Sequence, residues 1–392
     1  MLVLIVFGLL ILVTALLASL LSLIFEARFW NTLPRMRLVA STFPSVTVIM
    51  PLRGLDQNLR DNLLSVLDQD YPGHRRYVFV VDSDTDPAYS VVNEILNHVN
   101  VDALVIINKS GRGKGDALAA GLSRAVGDVA VFVDSDAYVH RHWLRNLITH
   151  LLNGSGASTT YRFYLPLRHL NLGTLLRASF NMIGFTAMQN STARFTWGGS
   201  SAVWSWLINK YSIHYYLPHY LSDDYVVTHF VHKEGLPIAF TPESLVLTYE
   251  DADIKEAFSW AVRQLWYVRV YGFNGFLLYA VSYTLYVITL PLAITLFLLS
   301  LNPWFLLLGL LPFLFGVIKD YIRINSIRGL DEFYRERISK GFVILLAFTS
   351  IINVYFSWLV IIKTMFTRSI NWRGRVFTID DAIKLMREKP LR

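Results

Sequence analysis

Four long apolar blocks constrain the fold of this chain more than any other feature, because each approaches the length that crosses a bilayer. A membrane-spanning helix requires about 20 mostly apolar residues. The first block, residues 2–25, contains no charged residue, and the block at 303–318 is short and contains Pro312. The short block is therefore either a tilted span or a re-entrant segment. The pattern predicts a transmembrane helix at 1–27, a soluble domain at 40–275, transmembrane helices at 276–301, 303–318 and 341–362 within 276–366, and a basic tail at 367–392.

The basic residues beside these blocks predict the orientation of the soluble domain. A retained anchor fits the first block better than a cleaved signal peptide, because no basic segment precedes it and its apolar run is long. Basic residues are expected on the cytoplasmic side. They follow the first block and fill the predicted last loop: Arg28, Arg35, Arg37, Lys319, Arg323, Arg328, Arg335, Arg337 and Lys340. The domain at 40–275 is therefore expected in the cytoplasm. Four crossings would place the tail outside, against the same rule, so the sequence leaves three or four spans open.

The composition narrows the possible partners. The net charge of +7 is explained by basic collars on anionic lipid head groups. No basic stripe with interleaved aromatic residues occurs in the soluble part, so we expect no nucleic-acid partner. The chain has no cysteine, which excludes disulfides and thiolate metal sites.

Strand-like and helix-like patterns alternate through the soluble part. Such alternation predicts a mainly parallel sheet with right-handed crossovers. Pro51 is expected to end the first strand. The predicted strands cover residues 45–50, 77–81, 101–107 and 129–133, and the predicted helices cover 58–69, 88–99 and 116–125.

Acidic residues follow two of these strands. Asp82 comes after the second strand, and Asp134 and Asp136 come after the fourth. Ligands of parallel sheets bind beyond the carboxyl ends of the strands, where these side chains can share one crevice. Carboxylates together with substrate phosphates hold Mg²⁺ well. Acidic turns are the alternative, since Asp and Ser are common turn residues.

A glycine-rich basic loop at residues 111–118 precedes the third helix. Its spacing fits neither a P-loop nor a dinucleotide fingerprint. A cationic loop at a helix N-terminus still suits phosphate or ribose contacts. A plain loop remains the alternative.

The order of motifs resembles the inverting family 2 glycosyltransferases with a membrane-embedded half, cellulose-synthase-like and ceramide-glucosyltransferase-like. By size and layout the chain is also similar to crenarchaeal membrane mannosyltransferases of N-glycan lipid assembly, which use GDP-mannose. The resemblance covers nearly the whole chain. It rests on Asp82, Lys114-Gly115-Asp116-Ala117-Leu118, Asp134-Ser135-Asp136, Trp197-Gly198-Gly199-Ser200-Ser201, Ser222-Asp223-Asp224 and Asn371-Trp372-Arg373-Gly374-Arg375.

The resemblance implies an α/β GT-A domain joined to an α-helical transmembrane bundle. It also implies Asp224 as the catalytic base and a Mg²⁺ or Mn²⁺ ion on Asp134 and Asp136. The donor-binding residues that it implies are Pro51, Arg53, Asp82, Lys114, Asp134 and Arg263. The acceptor-binding residues that it implies are Gly198, Gly199, Asp223, Gln264 and Trp266.

One motif departs from the family pattern. Where Gln/Arg-x-x-Arg-Trp is expected, residues 260–267 supply Arg263, Gln264 and Trp266 with different spacing. A membrane-surface arginine and an interfacial tryptophan are the alternatives. Amphipathic helices near 165–188 and 255–272 are expected to lie on the bilayer.

The sequence therefore predicts a monomeric enzyme that moves a single sugar from a nucleotide-diphospho-sugar, with GDP-mannose favoured, to a lipid-linked acceptor. A UDP-glucose-dependent glycolipid synthase or a processive polysaccharide synthase is the alternative enzyme. A membrane scaffold with an inactive sugar-nucleotide site is the alternative without catalysis. A transporter is disfavoured because the apolar blocks contain almost no charged residue.

Overall fold

A computed structural model describes residues 2–33, 42–110, 113–372 and 374–391. The chain divides into two compact units. A helical unit contains residues 1–35, 170–180 and 252–370, and an α/β unit contains residues 36–169, 181–251 and 371–392. Some residues singled out above lie outside the described part of the chain: Arg35, Arg37, Gly111, Arg112, Arg373 and Arg392.

The strands form one large sheet and two small ones. The seven-stranded sheet has the order β3-β2-β1-β4-β7-β5-β8, and two-stranded sheets join β6 to β9 and β10 to β11. In the large sheet β7 is antiparallel to both neighbours, whereas the other pairs are parallel. The strands are β1 (Val46–Leu52), β2 (Arg75–Val81), β3 (Ala103–Ile107), β4 (Val129–Val133), β5 (Ala157–Thr159), β6 (Arg162–Leu165), β7 (Ser200–Trp204), β8 (Ile238–Phe240), β9 (Val246–Tyr249), β10 (Ser369–Trp372) and β11 (Arg375–Thr378).

Helices connect these strands and form the helical unit, and short 3₁₀ turns occur at Leu217–His219 and Pro242–Ser244. The helices are α1 (Leu2–Thr32), α2 (Leu59–Leu67), α3 (Pro87–Leu96), α4 (Lys114–Leu122), α5 (Trp143–Leu152), α6 (Leu172–Gln189), α7 (Ser205–Lys210), α8 (Ile213–Tyr216), α9 (Asp223–Lys233), α10 (Ile254–Tyr271), α11 (Phe273–Ser300), α12 (Trp304–Arg328), α13 (Glu332–Arg337), α14 (Lys340–Phe366) and α15 (Ile379–Glu388).

The mainly parallel sheet confirms the predicted fold class. Strand β4 is buried along its whole length, as expected for an apolar strand covered on both faces. The prediction that Pro51 ends the first strand is wrong, because β1 continues to Leu52. Pairing with β4 stops at Ile49, so Pro51 has only β2 as its neighbour and needs no second partner there.

Parallel pairing brings the predicted acidic ends to one edge of the sheet. Strands β2 and β4 both pair with β1 in the parallel sense. Asp82 directly follows β2, and Asp134 directly follows β4. Both carboxylates therefore lie at the carboxyl edge, where open α/β sheets bind ligands.

Within the described part of the helical unit, four helices are long and apolar enough to cross a membrane. The third, α12, has 25 residues and includes Lys319, Arg323 and Arg328, so the prediction of a short block followed by a basic loop is wrong there. The Nε atom of Arg323 donates a hydrogen bond to Glu26 at 2.9 Å, and both side chains are almost fully buried. A paired and hydrogen-bonded charge can be accommodated inside a helical bundle.

The basic tail folds with the α/β unit. Residues 374–391 form β11 and α15, and they belong to the same compact unit as residues 42–110. A compact water-exposed unit lies on one side of a membrane. We therefore expect an even number of bilayer crossings between residues 251 and 371, although three helices in that interval are long and apolar enough to cross.

This parity can be tested with single cysteines, because the chain has none of its own. We expect Ser90→Cys, in the α/β unit, and Lys384→Cys, in the tail, to react with an impermeant maleimide from the same side of sealed vesicles. The same labelling at Asn302→Cys, in the loop before α12, and at Glu336→Cys, in the short helix α13 after it, would identify the helix that does not cross. The unmodified chain is the control for background labelling. Reaction of positions 90 and 384 from opposite sides would contradict the single unit.

Candidate active site

The Asp134-Ser135-Asp136 segment is fixed at the end of β4 by hydrogen bonds from two directions. The backbone N–H of Asp134 donates to the carbonyl of Gly199 at 3.1 Å. The backbone carbonyl of Ser135 accepts a hydrogen bond from the Asn62 side-chain amide at 2.9 Å. The hydroxyl of Ser135 donates a hydrogen bond to the carboxylate of Asp56. These contacts hold the turn rigidly, so the two flanking carboxylates have fixed positions.

Arg162, at the start of β6, binds both of those carboxylates. Its guanidinium lies 2.8 Å and 3.2 Å from the oxygens of Asp136, and 3.0 Å from Asp134 Oδ2. The guanidinium also stacks over the Trp197 ring, with 4.8 Å to the centroid. Burial opposes the charged form of Arg162, but Asp136 and the other anionic neighbours raise its pKa well above the usual value. No sequence pattern predicted a role for Arg162.

Lys114 joins the edge of the sheet to a second pair of acids. Its Nζ atom lies 2.8 Å from Asp134 Oδ1 and 3.2 Å from Asp223 Oδ2. Although burial alone would lower the pKa of Lys114, the carboxylates of Asp134, Asp223 and Asp224 raise it. The lysine stays charged and holds two carboxylates from different elements together.

Asp223 and Asp224 begin helix α9. Ser222 caps this helix, because its hydroxyl accepts from the backbone N–H of Tyr225 at 3.2 Å. The carboxylate of Asp224 accepts from the backbone N–H of Gly198 at 2.5 Å. Burial and the neighbouring Asp223 raise the pKa of Asp224 to about 7, against the lowering effects of Lys114 and Gly198. A carboxyl group with this pKa can accept a proton near neutral pH.

Two adjacent glycines make room for this arrangement. A Cβ atom on Gly198 would lie 1.8 Å from Asp223 Oδ2 and 2.7 Å from Asp224 Oδ1. A Cβ atom on Gly199 would lie 2.0 Å from the Trp197 ring. Glycine at both positions is therefore required by the close approach of Asp223, Asp224 and Trp197, whereas the predicted contact with the acceptor stays a prediction.

Asp82 lies at the other end of the cluster between two arginines. Its Oδ2 atom is 3.5 Å from Arg53 and 3.1 Å from Arg375. Arg53 follows β1, and Pro51 is within that strand, so both lie at the same edge of the sheet as Asp82. Arg375 belongs to the predicted motif at residues 371–375, but the motif predicted no role for it.

The charges suit a divalent cation at the centre of the site. Beside four carboxylates, those of Asp134, Asp136, Asp223 and Asp224, the described ion pairs of this cluster contain two cationic side chains, Lys114 and Arg162. Among the residues that the structure describes, no group of three or more His, Asp or Glu side chains is arranged to hold a metal. All four carboxylate oxygens of Asp134 and Asp136 contact Arg162 or Lys114, so a metal would replace some of these contacts. Mg²⁺-type ions commonly use one or two carboxylates plus substrate phosphates. The residues therefore fit a metal that shares its coordination with a substrate.

Three predicted residues lie in the other unit. Arg263, Gln264 and Trp266 are on α10 of the helical unit, where Trp266 is fully buried. Their roles stay predictions. The remaining predicted residues, from Pro51 to Asp224, all belong to the α/β unit.

The fold and the site define a membrane glycosyltransferase with a GT-A domain. The family model described as "Glycosyl transferase family 21" matches residues 8–385. The chain belongs to this family, which confirms the predicted class of enzyme.

The similarity to individual curated proteins is low and covers only part of the chain. The chain is 25% identical over 181 residues to "Probable glycosyltransferase YdaM" of Bacillus subtilis strain 168, covering 45% of this chain and 41% of that protein. It is 27% identical over 135 residues to "Ceramide glucosyltransferase" of Gibberella zeae, covering 31% and 26%. The chain thus spans less than half the length of these curated relatives.

A solved structure shows the same fold over almost the whole chain. The mannosyltransferase PcManGT from Pyrobaculum calidifontis, in complex with GDP-Man and Mn²⁺, superposes with a TM-score of 0.51 at 18% identity. The match covers 93% of this chain and 99% of that chain.

Gly198→Ala should disable the site by displacing the acids of α9. The added methyl group cannot fit beside Asp223 without movement, and overpacking of this kind costs about 1–3 kcal/mol of stability. We expect sugar transfer to fall by about 100-fold or more, because small misplacements of catalytic groups have effects of that size. Transfer rates and thermal unfolding midpoints would measure both effects. Gly316→Ala is the matched control, since nothing lies within 4 Å of its Cβ position. A wild-type rate in Gly198→Ala would refute the fixed geometry.

Proposed function

We propose that this chain is an inverting glycosyltransferase that moves a single sugar from a nucleotide-diphospho-sugar to a lipid-linked acceptor of the dolichyl or polyprenyl type. The reaction would take place at the cytoplasmic face of the membrane. The observation that carries the proposal is the cluster in which Lys114 links Asp134 to Asp223 and its neighbour Asp224. A set of carboxylates for the donor and a base for the acceptor thus occur in one place.

Asp224 has the properties that the base requires. Its raised pKa, about 7, leaves a substantial fraction ionised at neutral pH and lets it take up a proton. The acceptor hydroxyl oxygen forms a bond to the anomeric carbon as the bond from that carbon to the diphosphate breaks. The proton of the hydroxyl passes to Asp224, and the electron pair leaves with the nucleoside diphosphate. Attack opposite the leaving group inverts the anomeric centre.

The donor would lie along the edge of the sheet between Asp82 and Asp134. Asp134 and Asp136 would hold Mg²⁺ or Mn²⁺, which when bound neutralises charge on the diphosphate. Lys114 remains charged beside Asp134 and adds a second positive group at the leaving oxygen. Gly198 and Gly199, which pack against Asp223, Asp224 and Trp197, belong to the proposal as backbone contacts to the acceptor.

The long apolar helices of the helical unit favour an acceptor that is itself anchored in a membrane. Four helices are long enough to span a membrane, so the chain is held where such an acceptor resides. Helices α6 and α10 occupy the two segments predicted to lie on the bilayer surface. Arg263, Gln264 and Trp266 of α10 belong to the proposal as donor and acceptor contacts. We propose that the enzyme acts as a monomer.

GDP-mannose is the favoured donor, and UDP-glucose is the second candidate. The mannosyltransferase with the same fold was solved with GDP-Man and Mn²⁺, which supports testing that donor first. The local similarity to a ceramide glucosyltransferase favours a UDP-glucose-dependent glycolipid synthase instead.

The pH dependence of transfer tests Asp224. Below about pH 7 the carboxyl group is protonated and cannot accept the acceptor proton, so kcat/KM should rise with pH and level off above 7. Asp224→Asn should lower transfer by about 10²- to 10⁴-fold, the usual contribution of a general base. Asp84→Asn, at an exposed acid in the same unit, is the control. If Asp224→Asn kept the wild-type rate and pH profile, the assigned base would be wrong.

A donor screen tests the reaction itself. Radiolabelled GDP-mannose, UDP-glucose and UDP-N-acetylglucosamine would be incubated with the enzyme and a membrane lipid extract, with and without EDTA. We expect one label to enter lipid in the presence of metal and to be lost with EDTA, because Asp134 and Asp136 fit a shared metal site. Asp136→Asn should weaken Mn²⁺ binding measured by calorimetry in the presence of the matching nucleoside diphosphate. Label in long polymer would favour the processive alternative, and no label from any donor would favour the inactive scaffold.

A further inference from the structure

The C-terminal tail reaches the edge of the sheet where the acidic strand ends lie. Arg375, the first residue of β11, donates to Asp82 Oδ2 at 3.1 Å although 293 residues separate them in sequence. Its NH1 atom lies 3.4 Å from the Cβ position of Gly113. Gly113 immediately precedes Lys114, the residue that holds Asp134. The guanidinium therefore lies between the two clusters of the site.

The tail is also fixed at its far end. The carbonyl of Lys389 accepts a hydrogen bond from the Tyr220 hydroxyl at 2.7 Å, and its ammonium group binds the Tyr215 hydroxyl. Between these two points α15 starts with a capping box at Thr378 and buries Ala382. Arg375 is thus held by an ordered segment rather than by a single ion pair.

The local charge favours an anion beside Arg375. Asp82 accepts from Arg375 and also faces Arg53 at 3.5 Å, so one carboxylate stands between two guanidinium groups. Both arginine side chains retain some solvent exposure, 36% for Arg53 and 22% for Arg375. A partly exposed guanidinium suits a phosphate, which it can bind through two parallel hydrogen bonds.

We propose that Arg375 binds the diphosphate of the nucleotide-sugar donor, which makes the C-terminal tail part of the donor site. This inference rests on the proposed function, because it assigns a further contact to the same donor. Asp82 holds the guanidinium at the edge of the sheet, next to the loop that carries Lys114. The diphosphate then lies between Arg375 on one side and Lys114 on the other.

Binding of nucleosides and their diphosphates to the full-length protein in nanodiscs, with Mn²⁺ present, tests the assignment. The probes are GDP with guanosine and UDP with uridine. We expect Arg375→Ala to raise the Kd of the better-bound diphosphate by about 10- to 100-fold, the effect of losing a charge-assisted hydrogen bond. The affinity for the matching nucleoside should change by less than about threefold. Arg375→Lys, which keeps the charge but loses the two-pronged geometry, should give an intermediate loss.

Arg387→Ala is the matched control, because Arg387 is an exposed arginine of the same tail. It should bind both probes like the wild type. A Kd of Arg375→Ala within twofold of the wild type would overturn the assignment while leaving the proposed function intact. An equal loss for nucleoside and diphosphate would also overturn it, because Arg375 would then act only through Asp82. A wild-type protein that binds neither diphosphate would overturn the proposed function together with this inference. If Arg375→Ala does not fold, the Arg375→Lys variant tests the proposal in its place. A wild-type Kd of Arg375→Lys for the nucleoside diphosphate would reject the contact between Arg375 and the diphosphate.

Discussion

One partly buried lysine, Lys114, links the two groups of carboxylates in the site. Lys114 contacts Asp134 at the end of a strand and Asp223 at the start of a helix, and no hydrogen bond of the sheet could join those elements. Burying several carboxylates together is costly unless positive groups compensate them. The positive end of helix α9 adds to this compensation at Asp223 and Asp224. The lysine therefore fixes the position of Asp223, and of the neighbouring proposed base Asp224, relative to Asp134.

The distribution of charge along the sheet edge favours one orientation of the proposed nucleotide-sugar donor. The centre of the site has more carboxylates than cations, whereas Asp82 stands between two arginines. A divalent cation would remove the excess negative charge at the centre, and a diphosphate would bind where both that cation and the arginines are within reach. In the proposed arrangement the sugar would point toward Asp224 and the nucleoside toward Asp82. Both ends of a nucleotide-sugar are thus distinguished by charge before any specific contact to the base or the sugar is made.

The sequence predicted the strands and acidic edge because those features depend on local patterns. Apolar runs identify buried parallel strands, and parallel strands end at one edge. Arg162 was not predicted because β6 pairs with β9, where its partner Val246 comes 84 residues later in the chain. No local sequence pattern identifies a sheet of this kind. The length of α12 was underestimated for a related reason. A hydropathy pattern counts Arg323 as a charge that ends an apolar block. In the folded unit its positive charge is paired with Glu26, which is distant in sequence.

The return of the tail has a consequence for how the site is assembled. The α/β unit contains residues on both sides of the helical segment 252–370, and the contact between Arg375 and Asp82 closes this long loop. Contacts of such large sequence separation form late, because the entropy of closing the loop opposes them until other structure is in place. The helices must therefore be synthesised, and the chain must return to the same side of the membrane, before the edge at Asp82 is complete. The donor end of the site is thus coupled to the number of membrane crossings, and a helical segment with the wrong parity would leave Asp82 without its second arginine.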